Sequence, residues 1–154
     1  MRKIIHFIIP IAICFIVGLT ASYFQSDSIS SWYPTLNKPS LTPPNIAFPI
    51  AWSIIYLLMG ISIGLILNSD YKKKGVLIVL FAVQLFFNFT WSIVFFYMQN
   101  PLLGLINIII LDILIIYYVI KSSRINSISA WLFMPYLLWI LFATYLNGYI
   151  SFYN

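Results

Sequence analysis

The chain has no glutamate, one cysteine and one histidine, and its side-chain carboxylates are only Asp27, Asp70 and Asp112. A single cysteine, Cys14, excludes an intrachain disulfide and any multi-cysteine metal site. One histidine, His6, close to the start of the chain, and no glutamate argue against a metal centre and leave no general base for ordinary hydrolysis. No cofactor is expected. Charge is the scarcest property of all: 7% of the 154 residues are charged, where a soluble domain carries about a quarter. What fills the space is apolar, at 62% hydrophobic and 19% aromatic residues. This is the composition of an all-α protein embedded in a bilayer. The formal net charge of +5 is not a nucleic-acid signal, because the basic residues form no aromatic-interleaved groove.

Apolar windows of about 20 residues, the length that spans a bilayer, occur five times, at 4–25, 46–67, 76–98, 102–120 and 129–150. Each is expected to be a helix, since an apolar run in lipid must satisfy its backbone internally. The first run follows Arg2 and Lys3 as a signal peptide would, but it exceeds the usual apolar core of about 7–15 residues and lacks a small-residue cleavage site. It reads as a retained span. The expected fold is a five-transmembrane-helix bundle forming one domain over 1–154. In that arrangement Arg2, Lys3, Lys72, Lys73, Lys74, Lys121 and Arg124 share one side and Lys38 stands alone on the other. The bias of basic residues toward the cytoplasm then puts the N-terminus inside and the C-terminus outside.

The connection at about 26–45 leads into an unusual stretch, "WYPTLNKPSLTPPNIAFPIAW", from Trp32 to Trp52, which holds five of the eight prolines and one charge. Each proline fixes its own φ and pushes the preceding residue toward extended geometry, so the segment is pre-shaped. Thr42 before Pro43 predicts a helix N-cap with proline at the first helical position. Trp32 reads as a headgroup-level anchor. A connection this long exceeds the usual 2–8 residues between packed helices and predicts a lid over a pocket.

Inside the spans, Asp112 is the one ionisable carboxylate, and it is read either as protonated or as hydrogen-bonded to a neighbouring helix. Gln84, Asn88, Trp91 and Phe95 recur at i, i+4, i+7 and i+11 on one helical face. Trp131, Pro135, Trp139, Ala143 and Asn147 form an i+4 row in the fifth span, where Pro135 is expected to kink the helix and open space. Trp52 and Tyr56 make a further i, i+4 pair. Aromatic walls with few amides predict a pocket for a flat apolar ligand. Gly60-x-x-x-Gly64 is a close-packing face, serving either a homodimer or the bundle itself.

"WYPTLNKPSLTPPNIAFPIAW", "QLFFNFTW" (Gln84 to Trp91), Asp112 and "PYLLWILFATYLN" (Pro135 to Asn147) together resemble the TspO/MBR family, the tryptophan-rich sensory proteins of bacteria and the mitochondrial translocator protein. The resemblance runs from Trp32 to Asn147 in order. It implies a pocket under the first loop for porphyrins (protoporphyrin IX above all), related tetrapyrroles and synthetic benzodiazepine-site ligands. The binding positions it implies are Tyr33, Pro43, Trp52, Asn88, Trp91, Trp139, Ala143 and Leu146. It also implies light- and oxygen-dependent porphyrin breakdown in a stress response, with Trp52 and Trp139 as catalytic participants. Sterol binding is not carried over: no basic residue follows Arg124, so the C-terminal sterol motif is missing. Leu41 replaces an aromatic residue common before the proline pair. The competing expectation is a transporter of porphyrin or another amphiphile, although no inverted repeat or coupling-ion site is evident.

Overall fold

The computed structural model describes residues 2–154, with side chains from Lys3 onward; the Arg2 side chain lies outside the described residues. Five helices make up the fold: α1 (Arg2–Ser31), α2 (Ala47–Leu67), α3 (Gly75–Ser92), α4 (Pro101–Ser123) and α5 (Ser127–Tyr153). All five are long and apolar enough to cross a membrane, α3 together with the turn that extends it to Tyr97. Neighbours run α1, α2, α5, α4, α3 and back to α1, closing a ring. The reversals gather Lys72–Lys74, Lys121 and Arg124 at one end, the basic end, and leave Lys38 at the other, the lid end.

Two boundaries differ from the sequence reading. Helix α1 continues to Ser31, and along its polar last turns Ser26, Ser30 and Ser31 satisfy their hydroxyls on the carbonyls of Tyr23 and Asp27. Thr42 is not an N-cap. Its hydroxyl donates to the Pro39 carbonyl at 2.7 Å and closes a turn in the loop, while α2 begins at Ala47. The reason lies in the proline pair, since Pro44 holds Pro43 in extended geometry and postpones the helix. Pro49 sits in the first turn of α2, where no N–H is needed.

At its lid end α3 widens into a π-helical turn, Ile93–Tyr97, in which Met98 N–H donates to the Ile93 carbonyl at 2.8 Å. Ser28 of α1 supports this turn, its hydroxyl donating to the Phe96 carbonyl at 2.6 Å. The extra residue brings two neighbours, Phe95 and Phe96, both inward. Gln99 then adopts φ 50°, and Asn100 caps α4 by accepting from Leu103 N–H at 3.0 Å.

The basic half is tightly packed. A Cβ on Gly60 would lie 2.7 Å from Ile11 Cα, and one on Gly64 would run into Phe7. The small-residue face of α2 therefore receives α1 within the bundle and is not free to join a second copy. Ser62, Tyr118 and Ser129 knot α2, α4 and α5 together through hydroxyl contacts of 2.8–3.1 Å.

Candidate ligand pocket

The lid begins as a 3₁₀ turn, Tyr33–Thr35, that lays the Tyr33 ring into the bundle beside Phe95 and Phe96, at centroid distances of 6.5 and 5.7 Å. Burial pushes the Tyr33 phenol above its ordinary range, so it stays a neutral donor at physiological pH. Lys38 shapes the rest. Its ammonium donates to the carbonyls of Tyr33 (2.6 Å), Leu36 (3.0 Å) and Pro34 (3.3 Å) and stands 4.9 Å above the Tyr33 ring centroid. Three donors meet three acceptors, so the one charge of the lid is satisfied by the lid's own backbone. A second fastening comes from Asn154 beyond α5, which accepts from Asn37 N–H at 2.8 Å and donates to the Asn37 carbonyl at 3.1 Å. Trp32 is not a free anchor: it is half-buried and packs edge-on to Phe95 at 5.6 Å.

Beneath the lid lies a cavity of about 370 Å³, bordered by α1, α2, the lid and the top of α3. That volume is within the roughly 300–1,000 Å³ typical of small-ligand pockets. Its walls are aromatic: Phe15, Phe48, Trp52, Tyr56, Trp91 and Phe96, with Tyr33 at the roof. Trp52 stacks on Tyr56 at 5.3 Å and 25°, so two nearly parallel rings border the cavity. Trp91 stacks likewise on Phe95 at 5.4 Å and is oriented by donating its indole N–H to Asn147 Oδ1 at 3.0 Å. The side-chain polar groups along the wall include Ser22, Gln25, Asn45, Ser53 and Ser92.

A polar chain leaves the floor of the cavity. The Tyr56 hydroxyl donates to Asn88 Oδ1 (3.1 Å), Asn88 Nδ2 donates to the Tyr136 hydroxyl (2.9 Å), and Tyr136 donates to Gln84 Oε1 (3.0 Å). Four buried side chains from α2, α3 and α5 thus join across the floor, ending at Gln84, whose Nε2 has no hydrogen-bond partner among the described residues. Asp112 stands apart from this chain, accepting from the Thr144 hydroxyl of α5 at 2.8 Å.

Of the eight expected binding positions, Tyr33, Trp52 and Trp91 line the cavity. Pro43 lines a separate cleft in the lid, shared with Tyr33, Pro34, Lys38, Pro39, Thr42 and Asn45. Asn88 lies one hydrogen bond behind Tyr56. Trp139 is not in the cavity wall; it packs edge-on behind Phe48 at 5.8 Å. Ala143 and Leu146 are buried in α5 and border neither space.

The i+4 row on α5 does not hold as one inward face. Trp131 is 73% exposed and Pro135 is also exposed, so the proline faces outward and opens no space within. Four residues turn through 400°, and the row drifts about 40° at each step; the inward stripe is Phe133, Tyr136, Ile140, Ala143 and Asn147. Tyr136, the centre of the polar chain, was missed for this reason. Its signal was a phenol beside the inward amides of α3. The contribution of α1 was also missed, because Gly18, Leu19, Ala21 and Ser22 carry no chemistry that marks them as a wall.

Five apolar helices, with an aromatic cavity between α1, α2, the lid and the top of α3, define a membrane-embedded helical bundle as the class of protein. The TspO/MBR family profile matches residues 10–153. Similar chains include the tryptophan-rich protein TspO of Chlorobaculum tepidum, 39% identical over 95% of this chain and 94% of that one, and the TspO of Archaeoglobus fulgidus, 40% identical over 85% of each. The Homo sapiens translocator protein is 29% identical over 75% of this chain and 70% of its own length. This chain belongs to the TspO/MBR family, and it is a multi-pass integral membrane protein.

Proposed function

We propose that the protein is a membrane receptor for porphyrins and related tetrapyrroles, with protoporphyrin IX as the reference ligand, held in the aromatic cavity beneath the lid. The observation that carries this reading is the nearly parallel pair of rings Trp52 and Tyr56, which lines one cavity with Trp91 and Phe96. A planar macrocycle offers a π surface to those rings, and stacked aromatic pairs contribute about 0.5–1.5 kcal/mol each beyond area burial. The grouping of basic residues at one end supports an orientation with that end in the cytoplasm and the lid outside.

Photochemistry extends the same reading. A porphyrin excited by light and stacked on Trp52 accepts one electron from the indole and passes it to molecular oxygen as superoxide. The oxidised indole recovers its electron from the macrocycle, and superoxide adds to the resulting porphyrin radical cation. The net change is addition of one O2 to the ring and opening of a carbon–carbon bond. Trp52 is the first donor by position; Trp139, behind Phe48, is the second. Titrating the purified protein with protoporphyrin IX while following tryptophan quenching tests the site. Saturable quenching is expected in the wild type, and about tenfold weaker binding in Trp52→Phe, a difference of about 1.4 kcal/mol. Unsaturable quenching, or an unchanged affinity in that variant, refutes the assignment. Illumination of the complex is expected to yield a defined product that Trp52→Phe does not form. Transport is the competing function. The closed packing of the basic half favours a one-sided pocket, and porphyrin flux into sealed proteoliposomes would reverse that choice.

A further inference from the structure

We propose that the cavity fills sideways from the bilayer, through a mouth between α1 and α2 on the lid side, and that the lid is a fixed roof. The ligand class follows: flat amphiphiles already dissolved in the membrane, not highly charged tetrapyrroles in water. The lining itself shows the direction. Ala21, Tyr33, Tyr56, Ser92 and Phe96 are buried at the back, whereas Leu19 is 70% exposed and Ser22, Pro49 and Ser53 are exposed as well. Those four lie on facing stretches of α1 and α2. Ser53 is six residues into α2, about 9 Å along its axis at 1.5 Å per residue, and so within the apolar span Ala47–Leu67. A mouth at that depth opens onto acyl chains.

The other ways in are obstructed. Toward the basic end α1 and α2 are in contact at Gly18 with Tyr56, at Gly60 with Ile11 and at Gly64 with Phe7. Above, Lys38 and Asn154 fasten the lid, and Tyr33, which is buried, and Asn45, which is exposed, are the two residues that border both the cavity and the lid cleft. A side mouth also accommodates a ligand larger than 370 Å³, because part of it can remain among the lipid chains. A polyanion would have to shed its hydration to pass there, which costs several kcal/mol for each charge left unpaired.

The inference is tested in proteoliposomes with protoporphyrin IX as the probe, which rests on the receptor reading above. Ser22→Phe and Ser53→Phe fill the mouth from lipid-facing positions. An Asn37→Cys/Asn154→Cys pair, oxidised, fixes the lid; Cys14 is fully buried and does not compete. The association rate, read from tryptophan quenching after mixing, is expected to fall about tenfold with either mouth variant, within the range over which association rates vary among related complexes. The lid-fixed protein is expected to keep the wild-type rate. A rate lowered by fixing the lid, or untouched by both phenylalanines, overturns the proposal. A ligand-free measurement separates its failure from that of the receptor reading: phospholipid brominated on its acyl chains should quench Trp52. Wild type is expected to lose more fluorescence than Trp52→Phe, and Ser53→Phe to remove that difference. Equal quenching in wild type and Trp52→Phe shows that acyl chains do not reach the cavity and refutes the mouth, whether or not protoporphyrin IX binds.

Discussion

The same two helices, α1 and α2, behave oppositely in the two halves of the bundle. At the basic end they meet through glycines so closely that an added methyl collides with backbone. At the lid end they part, and aromatic side chains border the gap instead of filling it. The difference teaches that the pocket here is a matter of where close packing stops. Small residues hold the backbones together over one stretch, and large rings prop them apart over the next.

Breaking the closed half should have the largest effect. Gly60→Leu inserts a side chain against Ile11 of α1, and overpacking of this kind costs about 1–3 kcal/mol. The thermal midpoint in detergent is expected to fall by several degrees, while Gly148→Ala, whose Cβ would meet only Leu105 Cδ1 at 3.8 Å, does not lower it. Next comes the floor between the halves. Tyr136→Phe leaves both Asn88 Nδ2 and Gln84 Oε1 without the tyrosine hydroxyl, at a cost of about 1–3 kcal/mol for a buried polar group left unmade. Denaturation in detergent should show that loss together with weaker porphyrin binding, since Tyr56 shares the chain.

The open half is expected to respond more locally. Lys38→Met frees three lid carbonyls to water, and hydrogen exchange should quicken between Tyr33 and Pro44 with a global stability change of about 1 kcal/mol or less. The smallest effect is a dependence on alkali. The folded-state pKa of Tyr33 is raised by burial, so the native state holds its proton longer than the unfolded chain does. Its contribution is complete below the ordinary tyrosine pKa near 10 and declines as pH rises beyond it. Tyr33→Phe should flatten that decline, and neither protein should change between pH 6 and 8.

Much of this was legible in the chain. The number of helices and the grouping of basic residues followed from apolar length and charge alone, since lipid leaves a backbone few alternatives. Gln84 and Asn88 were readable as inward because an amide in lipid seeks a partner. The phase of α5 was not, because an i+4 rule drifts over four turns and Trp131, the largest member of the row, faces outward. The N-cap of α2 was misplaced by giving Thr42 and Pro43 their usual roles when Pro44 overrides them, although the apolar window 46–67 matches the helix. The π-helical turn had no signature of its own; it depends on Ser28, 68 residues away, to hold the Phe96 carbonyl. The α1 wall was silent for the opposite reason, since Phe15, Leu19 and Ile29 read as ordinary span residues and the room for the Tyr56 ring comes from the side chain that Gly18 lacks.

Gly18 shows how far such an absence reaches. The Tyr56 ring lies where a Cβ on Gly18 would be, and the hydroxyl of that ring begins the chain through Asn88 to Tyr136 and Gln84. A methyl group added to α1 would therefore be felt on α5, across the bundle, as a broken hydrogen bond. The missing atom acts as a mechanical link: it couples the spacing of the first two helices to the polar register of α3 and α5.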